Sequence, residues 1–327
     1  MKLLFLLKKN NDYGSYSTCK SGLISSCQII TEELSAYGII SNIETCVDGN
    51  EIDKYVTLHK PNKCVIEALW ATPIKLKELM SLHPLVEFIV RVHSKTPFLS
   101  TEGIAIMWIK DYVSLGVTLS FNNEDTSKEY KSLGLTNTYL PNLYSVEYVW
   151  NNEKTPKVVN IGCFGSIRPL KNQLLQAVGA MRYANSNNKI LKFHINASRV
   201  EQRGEEVLKN IRALFTGTRH SLVEHPWLDR DSFLNLVRYM DIGLQVSFSE
   251  SFNIVTADFV LEGVPIIVSE DISWMPTMTK VSGRDSLEIA NKIRQGLRFK
   301  QFFSLTSSYK LRTYNKEATS VWINFLT

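Results

Sequence analysis

Short apolar, β-branched runs alternate with segments of helical period along the whole chain. Runs suited to buried parallel strands fall at Leu3–Leu7, Ile39–Cys46, Lys63–Ala68, Glu87–Val92 and Val117–Phe121. A second set follows at Val158–Phe164, Ile190–Asn196, Leu222–Glu224, Ile242–Val246 and Pro265–Val268. Helical patterns lie between them, as at Ile24–Tyr37, Pro73–Leu82 and Asp229–Met240, the last with Asp229 as N-cap. Strand and helix in alternation predict an α/β chain with doubly wound parallel sheets. The alternation pauses at Pro141–Pro156, which holds two prolines, several asparagines and no clear period, and reads as a linker. The predicted division is 1–142, a linker at 143–156, a second domain at 157–300 and a final helical segment at 301–327.

Composition fits two ordinary domains. The chain has 327 residues, 44% of them hydrophobic and 21% charged, enough to bury two cores. The net charge of +5 permits an anionic partner without demanding one. Cys19, Cys27, Cys46, Cys64 and Cys163 are odd in number and lack Cys-x-x-Cys spacing, so neither a disulfide framework nor a zinc site is expected. The opening MKLLFLL is too short for a signal peptide, and no run approaches the length of a membrane span. A cytoplasmic protein is expected.

The stretch Glu250–Val268, ESFNIVTADFVLEGVPIIV, carries the most chemistry. It reads as a loop, a helix, a tight Gly263-Val264-Pro265 turn and a buried strand. Glu250 is expected at the helix start, with Asp258 two turns in on the same face. Amides at a helix start attract phosphate, and an acid beside such an anion site suits a sugar hydroxyl or a ribose. The strand Val158–Phe164 runs into CFGSIRPLKNQ. There Gly165 permits close backbone approach, and Arg168 and Lys171 suit a diphosphate, one as a fork and one as a point charge. Both segments would lie at strand carboxyl ends, where open α/β sheets bind ligands.

This set resembles the retaining glycosyltransferases of GT-B fold, the large family containing sucrose synthase and many lipopolysaccharide transferases. The family's acid-x-Phe-Gly pattern, second acid after seven intervening residues and Gly-Val-Pro correspond to Glu250, Phe252, Asn253, Asp258 and Gly263-Val264-Pro265. Asn253 stands for the usual glycine and tolerates unusual backbone angles; Asp258 stands for the usual glutamate. Arg168 and Lys171 match the family's phosphate-binding pair. His93, ending the strand run IVRVH, matches a histidine that contacts the donor sugar. Lys20-Ser21-Gly22 matches an acceptor-side glycine loop, and Pro141-Asn142 a recurring hinge. Blocks such as VIEALWATP and NIGCFGSIRPLKNQLLQA look like a group encoded by tailed bacteriophages, some of which glycosylate hydroxymethylated pyrimidines in viral DNA.

The resemblance implies two Rossmann-like domains facing across a cleft, with the C-terminal helix crossing back onto the first domain. It implies a metal-independent hexosyl transfer from a nucleoside diphosphate sugar, UDP-linked, to a hydroxyl acceptor. Hydroxymethylated DNA is one acceptor, and a glycan or lipid the alternative. A non-catalytic nucleotide-sugar binder is a further reading. The expected catalytic set is Glu250, His93, Arg168 and Lys171. Gly165, Asn196, Ser251, Phe252, Asn253, Ile254 and Asp258 complete the donor site, and Ser21 and Gly22 serve the acceptor side. His59, His83 and Trp227 are read as structural.

Overall fold

The structure, a computed structural model, describes residues 1–9, 22–144 and 157–327. The chain divides into two compact units, residues 1–145 with 315–327, and residues 146–314. Residues 145–156 of the predicted linker and the loop holding Ser21 fall outside the described residues.

In the first unit, β1 (Lys2–Lys8), β2 (Ile40–Cys46), β3 (Lys63–Glu67), β4 (Glu87–Val92), β5 (Thr118–Phe121) and β6 (Thr138–Tyr139) form one sheet in the order β2-β1-β3-β4-β5-β6. Every pairing in it is parallel. Its helices are α1 (Gly22–Ser35), α2 (Glu51–His59), α3 (Pro73–Leu82), α4 (Thr96–Leu99), α5 (Ala105–Leu115) and α6 (Glu124–Ser132). Local chemistry sets their starts: Thr72 Oγ1 accepts from Lys75 N at 3.2 Å ahead of Pro73, and Asn123 Oδ1 from Thr126 N at 3.0 Å. Five consecutive buried residues in β1, Leu3 to Leu7, show why its run is continuous rather than alternating. The two-residue β6 carries too little apolar pattern to be seen in the sequence.

In the second unit, β7 (Val158–Gly162), β8 (Ile190–Asn196), β9 (Ser221–His225), β10 (Ile242–Gln245), β11 (Ile266–Ser269) and β12 (Lys280–Val281) are also all parallel. Their order is β12-β11-β10-β7-β8-β9. The helices are α7 (Gln173–Ser186), α8 (Gly204–Phe215), α9 (Arg230–Arg238), α10 (Ile254–Leu261), α11 (Ser286–Arg298) and α12 (Lys300–Leu326). Asp229 caps α9 as expected, accepting from Ser232 N at 3.0 Å. The chain starts this sheet at its centre with β7, builds outward through β8 and β9, then returns to place β10 on the other side. The direction of winding therefore reverses between β7 and β10, which makes a crevice at their carboxyl ends.

Helix α12 contributes to both units. Tyr314 stacks on Phe252, 5.4 Å between centroids, in the second. Trp322, fully buried, packs edge-on against Phe5 at 6.0 Å and donates to Pro141 O at 2.7 Å in the first. No described helix is long and apolar enough to cross a membrane. The four described cysteines, Cys27, Cys46, Cys64 and Cys163, are free and buried.

Candidate functional site

The crevice between β7 and β10 gathers most of the predicted donor-site residues of the second unit. After β7 the chain turns at Gly165, whose φ of +113° is open to glycine alone. Its N–H donates to Asn196 Oδ1 at 3.0 Å, tying the β7 loop to the end of β8. Arg168 then precedes, and Lys171 ends, a single 3₁₀ turn, Pro169–Lys171, ahead of α7. Asn172, left-handed at φ 55°, links that turn to α7 and donates to Val246 O and Gly283 O at 3.1 and 2.9 Å. This brings Lys171 beside β10, where its Nζ makes an ion pair with Glu250 Oε1.

Glu250 is not on a helix, which corrects the expected shared face with Asp258. Helix α10 begins at Ile254. Asn253 at φ 59° makes the turn into it, and its carboxamide supplies the cap, accepting from Thr256 N at 2.8 Å. A side chain that both tolerates αL and caps is why asparagine can serve at this turn. Asn253 Nδ2 also donates to Gln245 Oε1 at 2.8 Å, fixing the turn to the end of β10. Glu250 thus sits in the loop before α10, its N–H bonded to Asp271 Oδ2 at 2.9 Å. Burial pushes its carboxyl upward, but Lys171 beside it, with Arg168 further out, outweighs burial and holds it below the ordinary value. Arg168 itself lies 3.5 Å from Glu201 Oε2.

Asp258 occupies a separate position with a separate partner. It is 1% exposed, and Arg230 Nη1, from the first turn of α9, reaches its Oδ1 at 2.6 Å. Asp is a methylene shorter than the family's glutamate, and Arg230 covers it; sequence reasoning missed this arginine, whose only signal is its place after the Asp229 cap. Close packing seats α10 on the crevice. A Cβ on Gly243 would meet the Phe259 ring at 2.6 Å, and one on Gly162 would meet it at 2.9 Å. Glycines in both β7 and β10 therefore let α10 approach the two parallel strands between which the winding reverses.

In the first unit, His93 follows β4 and is held inward. Its Nε2 contacts Glu67 Oε2, and its Nδ1 lies 3.3 Å from Asn122 Nδ2. Both ring nitrogens already have protein partners, which modifies the expectation of a histidine simply presented to substrate. Burial holds the imidazole below its ordinary value, against the upward pull of Glu67. Arg91, fully buried, donates from Nη1 to both Glu67 oxygens at 3.2 and 3.1 Å, from Nε to Leu140 O at 2.9 Å and from Nη2 to Asn142 Oδ1 at 2.6 Å. Neither Arg91 nor Glu67 is among the residues singled out by the sequence. The usable signal was a charge closing an apolar run, in CVIE and in FIVR.

The remaining predicted residues are placed plainly. Ser251 and Phe252 lie in the loop before α10, and Trp274 Nε1 donates to Phe252 O at 2.8 Å. Gly22 is the first residue of α1. His59 and His83 bond Glu44 and Asp53 at 2.8 and 2.7 Å, structural as read. Trp227 lies under the Arg199 guanidinium at 4.8 Å. Among the described residues no group of three His, Cys, Asp or Glu could hold a metal ion.

No family model matches this chain, and no curated protein matches its sequence. Solved structures do. An OtsA apo structure aligns over 100% of this chain and 99% of its own at 12% identity, with a TM-score of 0.71. The Escherichia coli trehalose-6-phosphate protein bound with UDP-2-fluoro glucose aligns over 99% and 98% at 10% identity, TM-score 0.65. A UDP-forming α,α-trehalose-phosphate synthase from Burkholderia vietnamiensis aligns over 99% and 96% at 10% identity, TM-score 0.66. The fold is GT-B. Within it, the GT-B sheet of the second unit carries Lys171 and Glu250 on the two loops that bound its crevice, one after β7 and one after β10.

Proposed function

We propose that this chain is a retaining glycosyltransferase that moves a sugar from a UDP-sugar to a hydroxyl acceptor. The observation that carries the reading is the Lys171–Glu250 pair at the winding reversal of the second sheet, beside the capped start of α10. Such a crevice binds nucleotides, and a buried cation next to helix-start amides suits a diphosphate. Solved structures of like fold, one a UDP-forming synthase and one with UDP-2-fluoro glucose bound, support the donor class.

In this reading Lys171 and Arg168 neutralise the diphosphate as the bond from the sugar's anomeric carbon to the phosphate oxygen breaks, stabilising charge where it develops. Amides from Ser251 to Ile254 add to that field. Glu250 binds donor hydroxyls, Asp258 with Arg230 on one oxygen holds the ribose, and His93 binds a sugar hydroxyl. The acceptor oxygen bonds to the anomeric carbon on the face the phosphate leaves, and its proton passes to a leaving phosphate oxygen. No protein base is required.

The acceptor favoured by the neighbours' described activity is a phosphorylated sugar. A hydroxymethylated pyrimidine in phage DNA, a glycan and a lipid are tested in parallel. The experiment is UDP release from UDP-glucose with each acceptor, followed by mass analysis of the product. Release only with acceptor present, and its loss in Lys171→Ala and in Glu250→Ala, is expected. Full activity in both variants overturns the assignment. Binding of UDP-glucose without turnover on any acceptor makes the chain a non-catalytic binder.

A further inference from the structure

The first unit holds a closed circuit of hydrogen bonds whose direction is dictated by one residue. Arg91 is fully buried, and a guanidinium only donates. Its Nη2 donates to Asn142 Oδ1 at 2.6 Å, which fixes that carboxamide with its oxygen inward. The same oxygen lies 3.3 Å from the Asn122 carboxamide, which must therefore turn its amino group toward it. That amino group also lies 3.3 Å from His93 Nδ1, so Nδ1 has to accept. The ring proton is then on Nε2, where it meets Glu67 Oε2. Glu67 also accepts from Arg91 Nη1, and the circuit closes. Arg91 Nη1 lies 3.4 Å from Nε2, two donors converging on one carboxylate. The charged and titratable groups facing the ring are Glu67 and Arg91, with the Cys27 thiol beside Glu67.

We propose that Arg91, Glu67, Asn122 and Asn142 are positioning residues that fix His93 as its neutral Nε2–H tautomer, so that the nitrogen it offers a substrate hydroxyl is Nδ1, as an acceptor. The last clause rests on the assignment of His93 to the sugar made above. The His93 side chain is 13% exposed, and its contact with Asn122 is long enough for a hydroxyl donor to replace it. The circuit also gives Asn142, the predicted hinge residue, a defined role in orienting an imidazole.

The test is ¹⁵N NMR of the full chain at neutral pH, with the His93 signals assigned by their loss in His93→Gln. The expected result is a neutral ring protonated on Nε2, with the Nδ1 resonance moving on addition of UDP-glucose while Nε2 stays protonated. A ring protonated on Nδ1, or on both nitrogens, overturns the proposal. If amides around Lys171 respond to UDP-glucose and Nδ1 does not, the sugar-acceptor role falls while the donor site stands. If nothing responds, the donor assignment falls, and the wild-type tautomer still decides the circuit. Asn122→Asp supplies a second check that leaves Arg91 and Glu67 in place. An acceptor opposite Nδ1 is expected to hold His93 doubly protonated at neutral pH, and an unchanged neutral ring in that variant counts against the proposal.

Discussion

Lys171 and Glu250, 79 positions apart in sequence, form a largely buried ion pair between the loops that follow β7 and β10. Side-chain exposures of 12% and 8% mean that neither charge is left to solvent. Removing one partner leaves the other buried and uncompensated, a loss of about 3–5 kcal/mol in comparable pairs. Lys171→Ala is therefore expected to lower the unfolding midpoint as well as abolish transfer. Lys171→Met with Glu250→Gln, which removes both charges, should recover much of the stability and none of the activity. Denaturant unfolding beside UDP release separates the two effects. The pH dependence has a definite sign. Because the folded Glu250 carboxyl lies below 4.5, its contribution is full above that value and is lost as pH falls through the folded value. In Lys171→Ala burial remains, opposed by the more distant Arg168 and by Ser247, so the acid limb should move to higher pH.

Asn253 is expected to tolerate glycine better than alanine. Asn253→Ala forfeits the cap to Thr256 and replaces a residue that tolerates αL by one that does not, two losses of about 1 kcal/mol each. Asn253→Gly gives up the cap but relieves the backbone, so it should cost a few tenths of that. Equal losses for the two, measured by thermal unfolding, would show that the αL geometry does not matter here.

Gly243→Ala should disturb the site from below. Its methyl would lie 2.6 Å from the Phe259 ring, next to Asp258, and α10 has to move. Overpacking of this kind costs about 1–3 kcal/mol. The predicted signature is a raised KM for the donor with a folded far-ultraviolet spectrum; unchanged kinetics would mean that α10 accommodates the methyl without moving Asp258.

His194, in β8, provides a second pH-dependent term. Its Nδ1 lies 2.9 Å from His225 Nε2, and burial, with His225 and Lys192 nearby, pushes it down to about 4 from 6.5. The unfolded chain binds the proton first, so stability falls as pH drops from 6.5 to about 4, by about 3 kcal/mol in all, and then levels. His194→Gln should flatten that slope in urea titrations across the window.

Much of the fold was legible because most of the buried strands announce themselves as short apolar runs. Glu87–Val92, Ile190–Asn196 and helix Pro73–Leu82 coincide with the expected limits. The strands β6 and β12, two residues each, pair through backbone alone and leave no side-chain pattern. In the site, the meeting of Lys171 with Glu250 was readable from motif and order. Arg230 over Asp258, and the inward turn of His93 to Glu67, were not, because they depend on which side chains tertiary packing brings face to face. The position of Glu250 ahead of the helix was hidden by the Asn253 cap, since a motif shows spacing and not where the first helical residue falls.

Trp322 sits at the centre of the first unit although the entire second unit is encoded before it. On a ribosome, the amino-terminal sheet emerges early but must wait for the far end of α12 before Phe5, Arg91 and Pro141 acquire the indole that covers them. Until then that half exposes an unfinished apolar surface, so chaperone dependence during synthesis is a property this topology builds in.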